Sequence, residues 1–135
     1  TWTYYDFEGN LLMREDYKNG ILHGEVIKYF PNGKIAEVKN FDNGVQVGSW
    51  EQYYESGKPM AKGTYVNGSL HGEATYYYSN GKPRLKGSYV KGLMHGTWYH
   101  FTQDLKVEKK ETWEYGFLKQ DRDDSDTTVA KFPHR

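Results

Sequence analysis

Short runs of Tyr, Trp, Thr and Val alternate with polar residues along most of this chain, and glycine-containing pairs break the runs at regular intervals. Alternation of period two predicts half-buried strands, which β-branched and aromatic residues favour. The interruptions keep phase. Gly20, Gly44, Gly68, Gly92 and Gly116 stand 24 residues apart. So do Gly9, Gly33, Gly57 and Gly81, with Leu105 in the fifth place, and Gly24, Gly48, Gly72 and Gly96, with Gln120 in the fifth. Three glycine columns in one phase define a tandem repeat, with units at 1–24, 25–48, 49–72, 73–96 and 97–120. Two aromatic columns share the period: Tyr5, Tyr29, Tyr53, Tyr77, Phe101 and Tyr17, Phe41, Tyr65, Tyr89, Trp113. The fifth unit has lost two of its glycines, as a terminal cap does. Residues 121–135 carry no repeat and open on acids, which predicts an acidic, flexible tail.

Each unit holds two strand-like runs. Within a unit they are separated by Asn32-Gly33, Ser56-Gly57 or Asn80-Gly81, and units join at Asn19-Gly20, Asn43-Gly44, Asn67-Gly68 or Lys91-Gly92. Asn-Gly favours a type I′ hairpin, which needs positive φ at both central residues. The expectation is an all-β chain: tandem hairpins in one elongated, twisted antiparallel meander of ten strands, with no helix in 1–120. Two-residue loops at both turns would set Trp50 opposite Gly63, Gly63 opposite Gly72, and Lys62 between Glu51 and Glu73. One face then collects Trp50, Tyr54, Pro59, Ala61, Gly63, Tyr65, Leu70, Ala74, Tyr76 and Tyr78. The other collects Glu51, Tyr53, Lys62, Thr64, Glu73, Thr75 and Tyr77, with Met60 and Val66 as exceptions. The column Trp2, Val26, Trp50, Ala74, Trp98 alternates large with small, which reads as packing across hairpins roughly 9.5 Å apart.

A mean hydropathy of −0.94 would suit a disordered chain. The 17% aromatic content argues for a folded one, since disordered segments are poor in aromatics. With 18 basic and 18 acidic residues the chain lacks the clustered basic excess of a nucleic-acid binder. There is no apolar run of membrane-spanning length. Cysteine is absent, so there is no disulfide and no thiolate chemistry. The sequence begins at Thr1 rather than Met, which leans towards an extracytoplasmic location, with the cytoplasm as the alternative.

The pattern W-x-x-Y-Y-x-x-G-K, then G-x-Y-x-N-G, then L-H-G resembles the MORN repeat, in the variant of bacterial YwqK-type antitoxins. It is carried by Trp50, Tyr53, Tyr54, Gly57, Lys58, Gly63, Tyr65, Asn67, Gly68, Leu70, His71 and Gly72 with their 24-residue equivalents. The resemblance implies stacked hairpins and a non-enzymatic scaffold that binds a protein partner, sometimes membrane lipid. For the YwqK type it implies neutralisation of a toxin. A carbohydrate-binding module and an enzyme are the rival readings, and a homo-oligomer is compatible with all of them.

Candidate chemistry is sparse. His23, His71 and His95 share a column, but at roughly 9.5 Å per repeat they cannot share one zinc, whose Zn–N bonds are about 2.0–2.1 Å. His100 and His134 stand alone. The Ser residues, as in Ser56-Gly57 and Gly68-Ser69, are explained by turn chemistry. Glu108 and Glu111 lie among Lys106, Lys109 and Lys110 and read as a solvated edge. DRDDSD fails as a calcium loop, with Asp126 and Phe132 where Gly and Glu are required. Asn67-Gly68-Ser69 matches a glycosylation sequon that the turn demands anyway. No metal, cofactor or catalytic residue is therefore expected. The column Tyr5, Tyr29, Tyr53, Tyr77, Phe101 is the candidate binding row, because Tyr is favoured at interfaces and the row falls on the polar face.

Overall fold

The structure, a computed structural model, describes residues 1–123. It contains no helix there, only thirteen strands in one antiparallel sheet. They are β1 (Trp2–Tyr5), β2 (Leu11–Lys18), β3 (Ile21–Tyr29), β4 (Ile35–Asp42), β5 (Val45–Gln46), β6 (Gly48–Tyr53) and β7 (Pro59–Val66). There follow β8 (Ser69–Leu70), β9 (Gly72–Tyr77), β10 (Pro83–Val90), β11 (Leu93–Phe101), β12 (Val107–Glu114) and β13 (Phe117–Asp123). Neighbours in sequence are neighbours in the sheet, apart from the two-residue β5 and β8, which pair β4 and β7 beside the main path. The expected ten strands become thirteen because β5 and β8 are the split-off starts of β6 and β9, and because β13 extends through Asp123. The rest of the expected tail, residues 124–135, lies outside the described residues, as do His134 and the DRDDSD loop beyond Asp123.

The two turns of each unit differ in kind. Asn67 (φ 50°) and Gly68 (φ 86°) form the two-residue type I′ loop that Asn-Gly favours, with Val66 opposite Ser69. The turn within the unit is longer than expected. Gly57 N–H donates to Tyr54 O at 2.9 Å and Tyr54 N–H to Lys58 O at 2.8 Å. That pattern is a type I turn closed by a left-handed glycine (φ 94°), so only Gly57 has positive φ there. Leu105 adopts the same left-handed conformation (φ 64°), and Leu105 N–H still donates to Thr102 O at 3.0 Å. The fifth unit thus keeps its turn without the glycine.

The register between units is corrected as well. Trp50 faces Gly63 and Glu51 faces Lys62, as expected. Beyond the next turn Tyr65 pairs Leu70, but Lys62 pairs Thr75, not Glu73. Two extra residues enter the later strand just after His71, and Gly72 (φ 89°) turns the backbone there. Gly63 therefore neighbours Ala74 rather than Gly72, and the expected Glu-Lys-Glu row does not form. The same two-residue offset separates Tyr17–Leu22 from Glu15–Val26 and Ser88–His95 from Lys86–Tyr99.

Residues opposite one another in the ladder share a face. One face carries Trp50, Gly63, Ala74, Gly87, Trp98 and Glu111 in adjoining rows. Here the two indoles lie over a floor of Gly, Ala and Gly. Trp98 is 0% exposed and Trp50 8% exposed, and Ala61 and Ala74 are buried with them. A Cβ at Gly87 would run into the Trp98 ring. Tyr65 meets Trp50 edge-on with centroids 6.0 Å apart, and Tyr89 meets Trp98 at 5.1 Å. The small-residue half of the Trp column is where the core closes. The other face carries Glu51, Lys62, Thr75, Lys86, Tyr99 and Lys110.

Candidate functional site

Tyr5, Tyr29, Tyr53, Tyr77 and Phe101 are each the last residue of a strand, of β1, β3, β6, β9 and β11. The residue after each opens the turn inside its unit, so the repeat sets the column along one rim of the sheet. Tyr53 and Tyr77 lie on the same face as Glu51 and Thr75, two residues along their strands. Tyr5 is exposed, and the other four are half-buried. Their rings do not touch one another: among the described residues no ring pair joins two members of the column. What joins successive units is the residue behind. Tyr54 donates its hydroxyl to Tyr77 O at 2.7 Å, and Tyr78 to Phe101 O at 2.6 Å. Tyr53 donates to Glu51 Oε1 at 2.8 Å; burial, then that carboxylate, pushes its phenol up to about 12.

The column ends in a groove of about 460 Å³ beside Phe101. Tyr99, Phe101 and Val107 supply its apolar wall, Ser88 and Thr97 its hydroxyls, and Glu73 and Lys86 one charge of each sign. Tyr99 and Phe101 stand with ring centroids 6.4 Å apart. This mixture suits a surface that holds another molecule by shape and hydrogen bonds. The sequence pointed to Phe101 but not to Tyr99 or Val107. Tyr99 has Thr75 and Glu51 in its column and so is not part of the repeat, although it stands two residues before Phe101 on β11 and therefore on the same face.

The histidines have another task. His23, His71 and His95 each accept, at Nδ1, the backbone N–H of the residue that opens the next inter-unit turn: Asn43, Lys91 and Tyr115, all at 3.2 Å. These bonds put the ring proton on Nε2 and tie each unit to the next. Val47 fills the second place of the column and offers no acceptor. Among the described residues no group of three His, Cys, Asp or Glu is arranged to hold a metal.

Glu111 is not on a solvated edge. It is buried directly across from Trp98, with His100 Nε2 2.7 Å from its Oε1 and Trp113 donating to the same oxygen at 3.3 Å. Burial pushes its carboxyl up. The bonds from His100 and Trp113, with the charges of His100 and Lys109, outweigh that and leave it below the ordinary carboxylate value. His100, which stands alone in the sequence, acquires its partner only through the β11–β12 register.

A family model described as the MORN repeat variant matches residues 22–43, 46–67 and 70–91. The MORN repeat model matches residues 86–97. The three variant matches start 24 residues apart, the period of the glycine columns. No curated protein matches the sequence significantly.

Proposed function

We propose that this chain, a carrier of tandem MORN repeats of the variant kind, is a non-catalytic scaffold whose face bearing Tyr53, Tyr77 and Phe101 binds a protein partner. One observation supports this most directly. The face opposite the tryptophan core presents a regular row of half-buried aromatic rings that ends in a mixed polar and apolar groove. Loops are short turns, so the face is the broad surface available for recognition. Tyr is well suited to that work, since it combines a large rigid ring with a hydrogen-bonding tip. The resemblance to YwqK-type antitoxins makes a toxin the first partner to test.

The test is a pull-down from the native cell with three baits. A partner held by the parent chain is expected to be lost with Tyr53→Ser plus Tyr77→Ser and kept with Lys106→Ala. Loss of central interface rings costs about 2 kcal/mol or more each in hot spots. Thermal melts run alongside establish that the double variant is folded. A folded double variant that still holds the partner moves the site elsewhere. Binding to liposomes or glycans that the same double substitution abolishes would replace the protein partner with that ligand.

A further inference from the structure

The rim row that holds Tyr53, Tyr77 and Phe101 has a second component. Each ring is matched across the ladder by a smaller apolar side chain on the following strand: Tyr53 by Pro59, Tyr77 by Pro83 and Phe101 by Val107. Residues so paired share a face. In sheet order the row therefore alternates ring and small residue from β6 to β12. Neighbouring strands lie roughly 4.7–4.9 Å apart, so the rings recur about every 9.5 Å with a lower residue between them. All six side chains are half-buried, which leaves the row open to solvent along its length.

A basic column runs beside the aromatic one. Lys62, Lys86 and Lys110 stand 24 residues apart and are exposed. Lys62 pairs Glu51, two residues before Tyr53, and Lys86 pairs Tyr99, two residues before Phe101. Two residues along a strand span about 6.8 Å, so the lysines follow the rings on the same face at about that distance. Lys86 and Lys110 flank Tyr99 in the ladder, and Lys86 also lines the groove beside Phe101. Among the described residues these three lysines form no ion pair. Glu51 and Glu73 share the face, and Glu51 is already engaged by the Tyr53 hydroxyl. In the earlier units the column reads Arg14 and Val38, so the continuous basic stretch belongs to the third, fourth and fifth units.

The spacing selects the conformation of what can lie along this row. A polyproline II helix has three residues per turn and rises about 3.1 Å per residue, so one side of it recurs about every 9.3 Å. That keeps step with the rings. Two residues of an extended strand advance about 6.8 Å and two turns of α-helix about 10.8 Å, and neither keeps step over two intervals. The sheet twists, so the row curves, but covering Tyr53, Tyr77 and Phe101 needs only about 19 Å.

We infer that the row from Tyr53 to Val107 docks an acidic, proline-rich segment of the partner. The segment lies across the strands as a polyproline II helix, with a proline seated between successive rings and one carboxylate per turn directed at the lysine column. This rests on the proposal that the face binds a protein, and it names the chemistry of the segment held there. Such a helix is preformed and loses little entropy when it docks on aromatic side chains. Its carbonyls have no internal partners, and the hydroxyls of Ser88 and Thr97 in the groove are available to donate to them.

The test titrates the full chain, at low salt, into a blocked fluorescent peptide of four Pro-Pro-Glu triplets, about 37 Å long, and reads anisotropy. Saturable binding is expected. Tyr77→Ser should weaken it about tenfold or more, as should Lys86→Gln with Lys110→Gln, while Lys91→Gln on the opposite rim should leave it unchanged. Two further peptides need only the parent chain, so the outcome does not depend on how a variant folds. Four Gly-Ser-Glu triplets keep the charge and lose the helix; four Pro-Pro-Lys triplets keep the helix and reverse the charge. Each should bind at least about tenfold more weakly. Equal binding of either peptide overturns the inference, as does no saturable binding up to about millimolar Pro-Pro-Glu peptide. A Tyr77→Ser chain with the parent's melting curve and the parent's affinity overturns it too. A chain that ignores the peptide, yet loses its cellular partner with Tyr53→Ser plus Tyr77→Ser, overturns the polyproline inference alone and leaves the face as the protein-binding surface. If the peptide binds this row while that double variant keeps its cellular partner, the docking row stands and the partner is held elsewhere.

Discussion

Two glycines of similar appearance in the sequence differ in what they leave room for. At Gly63 an added Cβ would sit 3.0 Å from Leu70 Cδ2 and 3.4 Å from Trp50 Cε3, and Leu70 is a flexible side chain that can shift. At Gly87 it would enter the ring of a fully buried Trp98, which has nowhere to go. Gly87→Ala is therefore expected to destabilise by about 2–3 kcal/mol, near the upper range for overpacked cores, and Gly63→Ala by less than half of that. Urea denaturation of the two variants checks the order. Glu111 gives a second expectation at this scale. Its folded carboxyl lies below the ordinary value of 4.5, so its ionised form stabilises the fold above that pH. This contribution is lost as pH falls through the lowered folded value. Glu111→Gln should thus cost stability at neutral pH, and the gap between variant and parent should close as pH falls through the lowered folded value. Melts from pH 7 to pH 3 measure it; a gap that stays constant would show that charge is not the cause. Little of this was legible beforehand. Glu111 sits among lysines in sequence, and its burial depends on Trp98 across the ladder.

At the scale of strands and turns, the glycine columns located every hairpin, and the assignment of residues to faces survived a mistaken register except at Pro59, which a one-residue shift sets opposite Tyr53 rather than on the Trp50 face. The reason is parity. A slip of one residue turns every side chain over, but a slip of two returns each to its own face. The insertion after His71 is of two residues, so Lys62 moved from Glu73 to Thr75 without leaving the polar face. Alternating hydrophobicity therefore reported the face and could not report the partner. The turns inside the units were misjudged for a related reason: Asn-Gly and Ser-Gly suit a type I turn with a left-handed glycine as well as a type I′ turn. The histidine column was legible as a column, while its acceptor role required the next unit to be in place. Two units lack it, with Val47 and Lys119 in its place, and the first of them allows a gain to be predicted. Val47→His should supply Asn67 N–H with the acceptor that His71 gives Lys91. The expected gain is about 0.5–1 kcal/mol, together with slower hydrogen exchange at the Asn67 amide. Unchanged exchange there would mean that the 3.2 Å bonds at the other three units contribute nothing to order.

For the molecule as a whole, stability comes from neighbours. The sheet has one layer, and its most buried residues form clusters that draw on consecutive hairpins, as Trp50, Ala74 and Trp98 do with Gly63 and Gly87. A single hairpin has no such neighbours and is marginal in water. A peptide of residues 49–72 is expected to be unfolded by circular dichroism, whereas the chain unfolds cooperatively; a folded 24-residue peptide would contradict the neighbour account. Several ties between units run forward along the chain. Asn32 Nδ2 reaches Glu55 O, Lys34 Nζ reaches Ser56 O, and Tyr54 and Tyr78 reach the carbonyls of Tyr77 and Phe101, each 22 or 23 residues ahead. For a chain synthesised from its N-terminus, this makes the second, third and fourth units dependent on residues translated after them. At about 5–20 residues per second, a ribosome needs on the order of one to five seconds to deliver the next 24. During that interval the newest hairpin holds its side-chain donors out to water, and it is completed only when its successor leaves the exit tunnel.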